Sequence, residues 1–408
     1  MKRPAFDLTR PGITMVVAVG VLAAIGLLSI YGAESARTAP APYALKQALF
    51  VGISACAGAV VLRIGYRKIA RHSYPIAVAA VVLLVPLTVA KVTGIELGGL
   101  LSPRRNVYRW ITLPGFQLQP SECMKLGYIL ALAHYLRFRK NYRRFRGLLL
   151  PFGLTLIPLI LILTEPDLGT ALLMMPVLFV MLFLAGAHLR HLALIALLGA
   201  VCMPLVAKPY QRARITTLMM QSESFRERVA EDPERFAFLG LDKRALANWR
   251  QDDGWQLIHS KAALGSGGLV GQGWGEGTYV EYGFLPDRHN DFVFSLVGHQ
   301  FGLIGCLVIV ACFAVIILSG ATIALATTEP EGRLLAVGVV ALLAAQVTIN
   351  VGMTVGLMPI TGMTLPFVSY GGSSMVVNGM AVALLISVSQ DRPFLLAPKP
   401  FEYASRTP

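Results

Sequence analysis

Apolar runs long enough to cross about 30 Å of hydrocarbon recur along the chain. They fall at 13–32, 45–64, 74–95, 121–137, 148–164, 168–186, 191–207, 292–325, 333–357 and 364–389. The pattern predicts an all-α integral membrane protein of ten spans, one membrane domain over 1–408. The first run follows Lys2, Arg3 and Arg10, as a secretory signal would. At about 20 residues it outlasts a signal core of roughly 7–15, so it reads as a retained helix. The run at 292–325 is too long for one straight crossing and predicts a kink near Gly298, Gly302 or Gly305.

Basic residues orient the spans. Lys2, Arg3 and Arg10 precede the first, Arg63, Arg67, Lys68 and Arg71 follow the second, and six more lie between Arg137 and Arg146 after the fourth. The positive-inside rule makes these segments and both termini cytoplasmic. The long connection at 208–290 is then extracytoplasmic, and its length puts its own charges beyond the rule.

Composition agrees with the pattern. Hydrophobic residues form 55% of the 408 and charged ones 14%, so the bilayer serves as solvent. The net charge of +14 is topological and does not imply a nucleic-acid partner. Five cysteines, without CxxC spacing or a histidine partner, read as packing residues.

The long connection has two halves. Residues 222–250, rich in Glu, Arg, Lys and Ala, predict a solvated or membrane-surface amphipathic helix. Residues 265–277 hold seven glycines in thirteen positions and suit close approach to a surface or a ligand. No strand precedes them and no phosphate-loop spacing fits.

Charges at span ends collect on the outward side: Arg104, Arg105 and Arg109 beside Trp110, Glu122 with Lys125, Glu165 with Asp167, and Asp287, Arg288, His289 and Asp291. Singly, each has a structural reading. Glu122 and Lys125 stand three apart and can neutralise each other; Asp167 can cap a helix; the arginines and Trp110 suit either an anionic ligand or an interface anchor. Asp291 suits a general base near neutral pH or an N-cap, and the residues leave both open. Random structural pairs would spread over both faces, so the gathering on one face points to chemistry. The Pro and Gly breaks in 356–374 imply irregular backbone that is buried in protein or lines a cavity, the cavity being the functional reading.

Together, Arg109-Trp110-Ile111, Gln119-Pro-Ser-Glu-Cys-Met-Lys125, Glu165-Pro-Asp-Leu-Gly-Thr-Ala171, the glycine-rich 265–277, Phe284-Leu-Pro-Asp-Arg-His-Asn-Asp-Phe-Val-Phe294 and Leu365-Pro-Phe-Val-Ser-Tyr-Gly-Gly-Ser373 resemble the SEDS family (shape, elongation, division and sporulation), and within it the RodA branch. The resemblance implies ten helices in the bacterial cytoplasmic membrane. It also implies an inverting peptidoglycan glycosyltransferase that polymerises lipid II outside the cell for elongation and rod shape. A class B penicillin-binding transpeptidase and other membrane proteins of the elongation complex are its implied partners. Carried over by motif, Asp291 is the essential catalytic aspartate, and Glu122, Lys125, Asp167 and Trp110 are supporting positions. Lys125 and Arg109 are the candidate cations for the leaving diphosphate. A divalent cation, Mg2+ or Mn2+, is compatible with this chemistry but unspecified.

Two positions depart from the family pattern: His299-Gln300 stands where two glutamates are usual, and Asn290 where threonine is. Residues 222–250 resemble an insertion. A lipid-linked precursor flippase or transporter is the rival reading, since it shares the helix count and intramembrane charges. A non-catalytic scaffold for the transpeptidase is a third.

Overall fold

The computed structural model describes residues 10–35, 43–94, 108–113, 116–138, 141–207, 209–239, 241, 249, 253–283 and 289–391. The chain is an all-α multi-pass membrane protein. Among the described residues, seven helices are long and apolar enough to cross a bilayer. They are α1 (Arg10–Ser35), α2 (Tyr43–Ile64), α4 (Ser73–Thr93), α6 (Phe145–Thr164), α14 (Val293–Ala326), α15 (Pro330–Val355) and α16 (Gly372–Ser389). Three shorter helices, α5 (Pro120–Leu136), α7 (Leu168–Leu184) and α8 (Leu189–Val206), occupy the other expected spans. Small elements complete the order: α3 (Tyr66–Arg71), α9 (Pro209–Met219), α10 (Glu223–Glu231), α11 (Pro233–Phe236), α12 (Asp253–Ser266) and α13 (Thr278–Glu281). Strands β1 (Ile111–Leu113) and β2 (Phe116–Leu118) form an antiparallel hairpin just before α5.

Lipid-facing and protein-facing helices separate by burial. In α15 and α16, 61% and 72% of the apolar window is buried, against 22% in α2 and α4. The peripheral helices therefore present Val16, Val17, Val60, Val78 and Val82 outward, as expected where the solvent is hydrocarbon. α1 packs along α14, α2 along α16 and α4 along α5. Cys306 is buried within the core, whereas Cys56 and Cys202 are exposed, so the packing reading holds for only part of the cysteine set.

The two ends differ in character. At one, the basic segments gather: Arg67 pairs with Asp391 at 2.5 Å, and Glu331 takes His134 at 2.6 Å and Arg137 as well. The other end carries the hairpin, α12 and the irregular stretch before α16. We call it the site end.

Two expectations change and a third is narrowed. The last helix begins at Gly372 rather than 364, because 360–371 folds as a loop. Residues 222–250 do not form one amphipathic helix where described; α10 and α11 curl around a small core of Met220, Val229, Leu241 and Trp249, with Arg226 4.9 Å from the Trp249 ring. The kink in α14 falls at Gly302, whose φ of 63° and ψ of −160° split the helix into 293–301 and 303–326.

That break is filled by the glycine-rich segment. Leu303 and Ile304 donate their amides to the Gly268 and Leu269 carbonyls at 2.9 and 3.2 Å. Gln272 and Gly273 donate to the His299 and Gln300 carbonyls at 2.9 and 3.3 Å. A Cβ at Gly302 would collide with the Gly271 amide nitrogen. Gly302→Ala is therefore expected to lower the melting temperature in detergent, by on the order of 1–3 kcal/mol of stability. Gly20→Ala, within α1 and facing open space, is the control and should not lower it.

Candidate active site

The turn between α6 and α7 and the start of α5 meet at the site end. Pro120 at the first position of α5 suits a helix start, and it sets Ser121, Glu122 and Lys125 on the first turns. Asp167 caps α7, accepting from the Thr170 amide at 3.2 Å and its hydroxyl at 2.9 Å. It also accepts from Ser121 Oγ at 2.8 Å and Gln119 Nε2 at 3.1 Å. One buried carboxylate thus joins α5 to α7. Burial opposes its charge, but the Arg109 guanidinium and the Ser121 and Thr170 donors outweigh that and hold the carboxyl below the ordinary aspartate value.

Glu122 and Lys125 form a buried ion pair at 2.6 Å. Breaking such a pair from one side leaves an uncompensated charge and costs about 3–5 kcal/mol. Lys125 is therefore matched within the helix bundle and is not open to a ligand in this state.

Arg109 is half-buried, and its guanidinium closes the end of α6. Its Nε donates to the Glu165 carbonyl at 3.1 Å, a terminal nitrogen donates to the Pro166 carbonyl, and Lys91 Nζ donates to the Thr164 carbonyl. Cations on the last carbonyls complement the helix dipole. Trp110 follows, half-buried, at the entry to β1. The hairpin is fastened to the start of α16: Ser373 Oγ donates to the Gln117 carbonyl at 2.8 Å and accepts from the Gln119 amide at 3.0 Å.

Glu165 differs from its neighbours. Its side chain is wholly buried and neither carboxyl oxygen has a hydrogen-bond partner. Burial raises its pKa to about 9, the Asp167 charge adds to the rise, and Arg109 and Lys91 offset only part. It is a neutral acid at neutral pH.

Asp291 stands on a second support. Tyr370 donates its amide to the His289 carbonyl at 2.8 Å and Ser369 Oγ donates to the Asn290 carbonyl at 2.6 Å. Asn350 Nδ2 donates to the Asp291 carbonyl at 3.1 Å and to the Met363 carbonyl at 2.6 Å. Gln346, one turn earlier on α15, donates to the Thr364 carbonyl at 3.1 Å. Buried Phe367, at φ 65°, holds the left-handed region within this loop. Phe292 is the N-cap of α14, so the capping alternative for Asp291 does not apply. The Asp291 side chain remains half-exposed.

Residues 361–363 lie between the two clusters. A Cβ at Gly362 would sit 3.4 Å from Asp291 Oδ2. On the other side, a Cβ at Gly169 would strike Met363 and lie 3.2 Å from the Thr361 carbonyl. The capped start of α7 and the Asp291 carboxylate therefore flank one strip of backbone. Beside it, His289 stacks on Tyr43 at 4.3 Å and Tyr370 meets Tyr43 edge-on at 5.1 Å, forming an aromatic shelf. A half-exposed carboxylate next to flat rings suits proton removal from a hydroxyl of a ring-shaped ligand such as a sugar.

The loop supports Asn350 and Gln346 and the shelf residue Tyr43 carry no sequence motif that singles them out, whereas Ser369 and Ser373 fall within the 365–373 motif. The available signal is Gln346 and Asn350, two amides four apart in an apolar helix. Arg104, Arg105, Asp287, Arg288 and the 284–288 part of the fifth motif lie outside the described residues. No group of three or more His, Cys, Asp or Glu able to hold a metal occurs among the described residues.

Glu165 gives a pH prediction. Its pKa rises from an ordinary 4.5 to about 9 on folding, so folding takes up a proton between those values and stability falls as pH rises through that window. Glu165→Gln should remove this slope. Its melting temperature in detergent is expected to exceed that of the wild type by a margin that widens from about pH 6 to about pH 9. Parallel curves for the two proteins would show that Glu165 is ionised in the fold.

The cell-cycle-protein family of FtsW, RodA and SpoVE matches residues 11–393. The probable peptidoglycan glycosyltransferase FtsW of Trichlorobacter lovleyi is 33% identical, with 95% of each chain covered. Stage V sporulation protein E of Bacillus subtilis is 35% identical over 94% of this chain and 98% of its own. The peptidoglycan glycosyltransferase MrdB of Escherichia coli is 32% identical over 71% of this chain and 73% of its own. Among solved structures, a chain of a peptidoglycan synthase complex has a TM-score of 0.69 at 28% identity, covering 93% of this chain and 98% of that one. RodA of Thermus thermophilus scores 0.62 at 26% identity, covering 93% and 96%. The chain belongs to the SEDS family of FtsW, RodA and SpoVE, the peptidoglycan glycosyltransferases that span the bacterial cytoplasmic membrane many times.

Proposed function

We propose that this chain polymerises lipid II into β-1,4 glycan on the outer face of the cytoplasmic membrane, with Asp291 as general base. The observation that carries the reading is the half-exposed Asp291 carboxylate beside the 361–363 strip and the His289, Tyr43 and Tyr370 shelf. Asp291 removes the proton from the acceptor's 4-hydroxyl, whose oxygen attacks C1 of the donor sugar from the face opposite its diphosphate. The C1–O bond to the diphosphate breaks with inversion, and undecaprenyl diphosphate leaves with the bonding pair. Fixed positive charge favours that departure. Arg109, half-buried at the site end, is the proposed source of that charge. Lys125 acts through its pair with Glu122, while Asp167 and Trp110 shape the floor. The lipid tails stay in the bilayer throughout.

The reading takes the ten apolar segments as ten crossings of a single membrane domain, with both termini cytoplasmic and 208–290 outside. The basic clusters at the end opposite the site support that sidedness. A flippase would need ionisable groups near mid-membrane with access to both faces, whereas the acids at this site stand at helix ends. A class B penicillin-binding transpeptidase is the proposed partner, since a structural relative belongs to a complex that coordinates polymerisation with crosslinking.

Elongation is the proposed cellular role, resting on the RodA-like 284–289 and 356–362 stretches and the structural likeness to RodA. Relatives carrying the FtsW name support division as the second reading.

Two measurements test this. Purified Asp291→Ala is expected to bind lipid II yet make no glycan above background; polymerisation at wild-type rate would sink the assignment. Depletion in the source bacterium should turn rods into spheres, whereas long filaments would assign the protein to division.

A further inference from the structure

The glycine-rich segment leaves two large apolar side chains outside the protein. Leu269 and Val270 are 69% and 73% exposed at the tip of the turn that follows α12. Their backbone is fixed by the Leu303 and Ile304 amides, and Gly271 donates its amide to the Gly267 carbonyl at 2.7 Å. Irregular backbone at membrane depth requires internal pairing of this kind.

The surroundings are lipid-facing. Leu303, Ile304 and Leu307 are 48%, 57% and 57% exposed on the membrane helix that the turn joins, so the tip continues its apolar stripe. Depth follows from helix rise. Leu303 stands about 35 Å along α14 from Ala326, and Leu28 about 27 Å along α1 from Arg10, against a hydrocarbon thickness of about 30 Å. Trp274 Nε1 donates to the Leu28 carbonyl at 2.8 Å, and its ring lies 5.8 Å from that of Tyr31. Both rings are partly exposed, as aromatic side chains are at the membrane–water boundary. The segment therefore lies at the edge of the hydrocarbon.

We infer that the 268–271 turn is a membrane anchor whose Leu269 and Val270 side chains enter the acyl-chain region of the site-end leaflet. The turn holds the 303–326 half at its Leu303 and Ile304 amides, and Gln272 and Gly273 directly after it hold half-helix 293–301, about 14 Å long, with Asp291 just beyond its far end. The anchor thereby sets the height of Asp291 above the hydrocarbon, where a lipid-linked diphosphate would present its sugar; this last step rests on the proposed glycosyltransferase reading.

Depth-dependent quenching tests the anchor without reference to turnover. Val270→Cys, in full-length protein with its five native cysteines replaced, is labelled with bimane and reconstituted into phosphatidylcholine–phosphatidylglycerol vesicles. Ser224→Cys on exposed α10 is the reference. Shallow doxyl-lipid is expected to quench the label at 270 several-fold more than at 224, and iodide the reverse. Iodide quenching at 270 equal to that at 224 would place the turn in water and overturn the anchor. Protection at 270 from both quenchers would assign the patch to protein contact and overturn it too. For the height step, Leu269→Asn with Val270→Asn should cut glycan synthesis about fivefold in vesicles while leaving it within twofold in detergent. Equal loss in both media, or none in either, would remove the positioning role. The quenching result stands or falls independently of whether glycan is made.

Discussion

Hydrocarbon offers no partner to an unpaired peptide group, and that constraint governs the site end of this molecule. Helix geometry fails there twice, at Gly302 and across 360–371. Each failure is repaired by backbone or amide groups brought from elsewhere in the chain. At Gly302 the repair comes from the 268–273 backbone; at 360–371 it comes from Asn350, Gln346 and Gln47, which donates to the Ser369 carbonyl at 2.9 Å. Asp291 lies between the two repairs. Its carbonyl shares Asn350 with Met363, so the position of the carboxylate is set by α15 and the loop together.

The charged groups follow the same logic with different partners. Glu122 and Lys125 neutralise each other, Asp167 collects four donors, and the cations Lys91 and Arg109 close α6. These arrangements satisfy buried charge locally. Asp291 is half-exposed, where Glu122, Lys125 and Asp167 are buried. The candidate site thus sets a half-exposed carboxylate beside charges that already have partners.

Much of the architecture is legible in the sequence because a bilayer turns hydropathy into geometry. Long apolar runs need a 3.6-residue helix to pair their backbone, so span positions follow from composition alone. Candidate site residues stand out where charge lies at a span end, as with Glu122, Lys125, Asp167 and Asp291. The supports are harder to see. Asn350 and Gln346 sit mid-helix with no motif, and their role depends on a loop that folds back from thirteen or more residues later. The start of α16 at Gly372 is hidden for a similar reason: 364–371 is apolar enough to continue the helix, but the Ser369 hydroxyl and the Tyr370 amide bind the Asn290 and His289 carbonyls instead. The 222–250 stretch misleads because charge-rich composition does not distinguish one surface helix from short helices around Trp249.

His299 and Gln300 show how a departure from family pattern can be structural. Both are buried next to the break. His299 Nδ1 shares a hydrogen bond with Ser266 Oγ at 2.8 Å, and Gln300 Nε2 donates to the Ser29 carbonyl at 3.3 Å. The first ties the half-helix to α12, the second to α1. Two carboxylates in these positions would carry charge into a buried setting where the visible partners are a hydroxyl and a backbone carbonyl, and a carbonyl cannot donate to them. The neutral pair makes the same two ties without that burden. Its consequence is a break tied to α12 and α1 by an imidazole and an amide rather than by carboxylates.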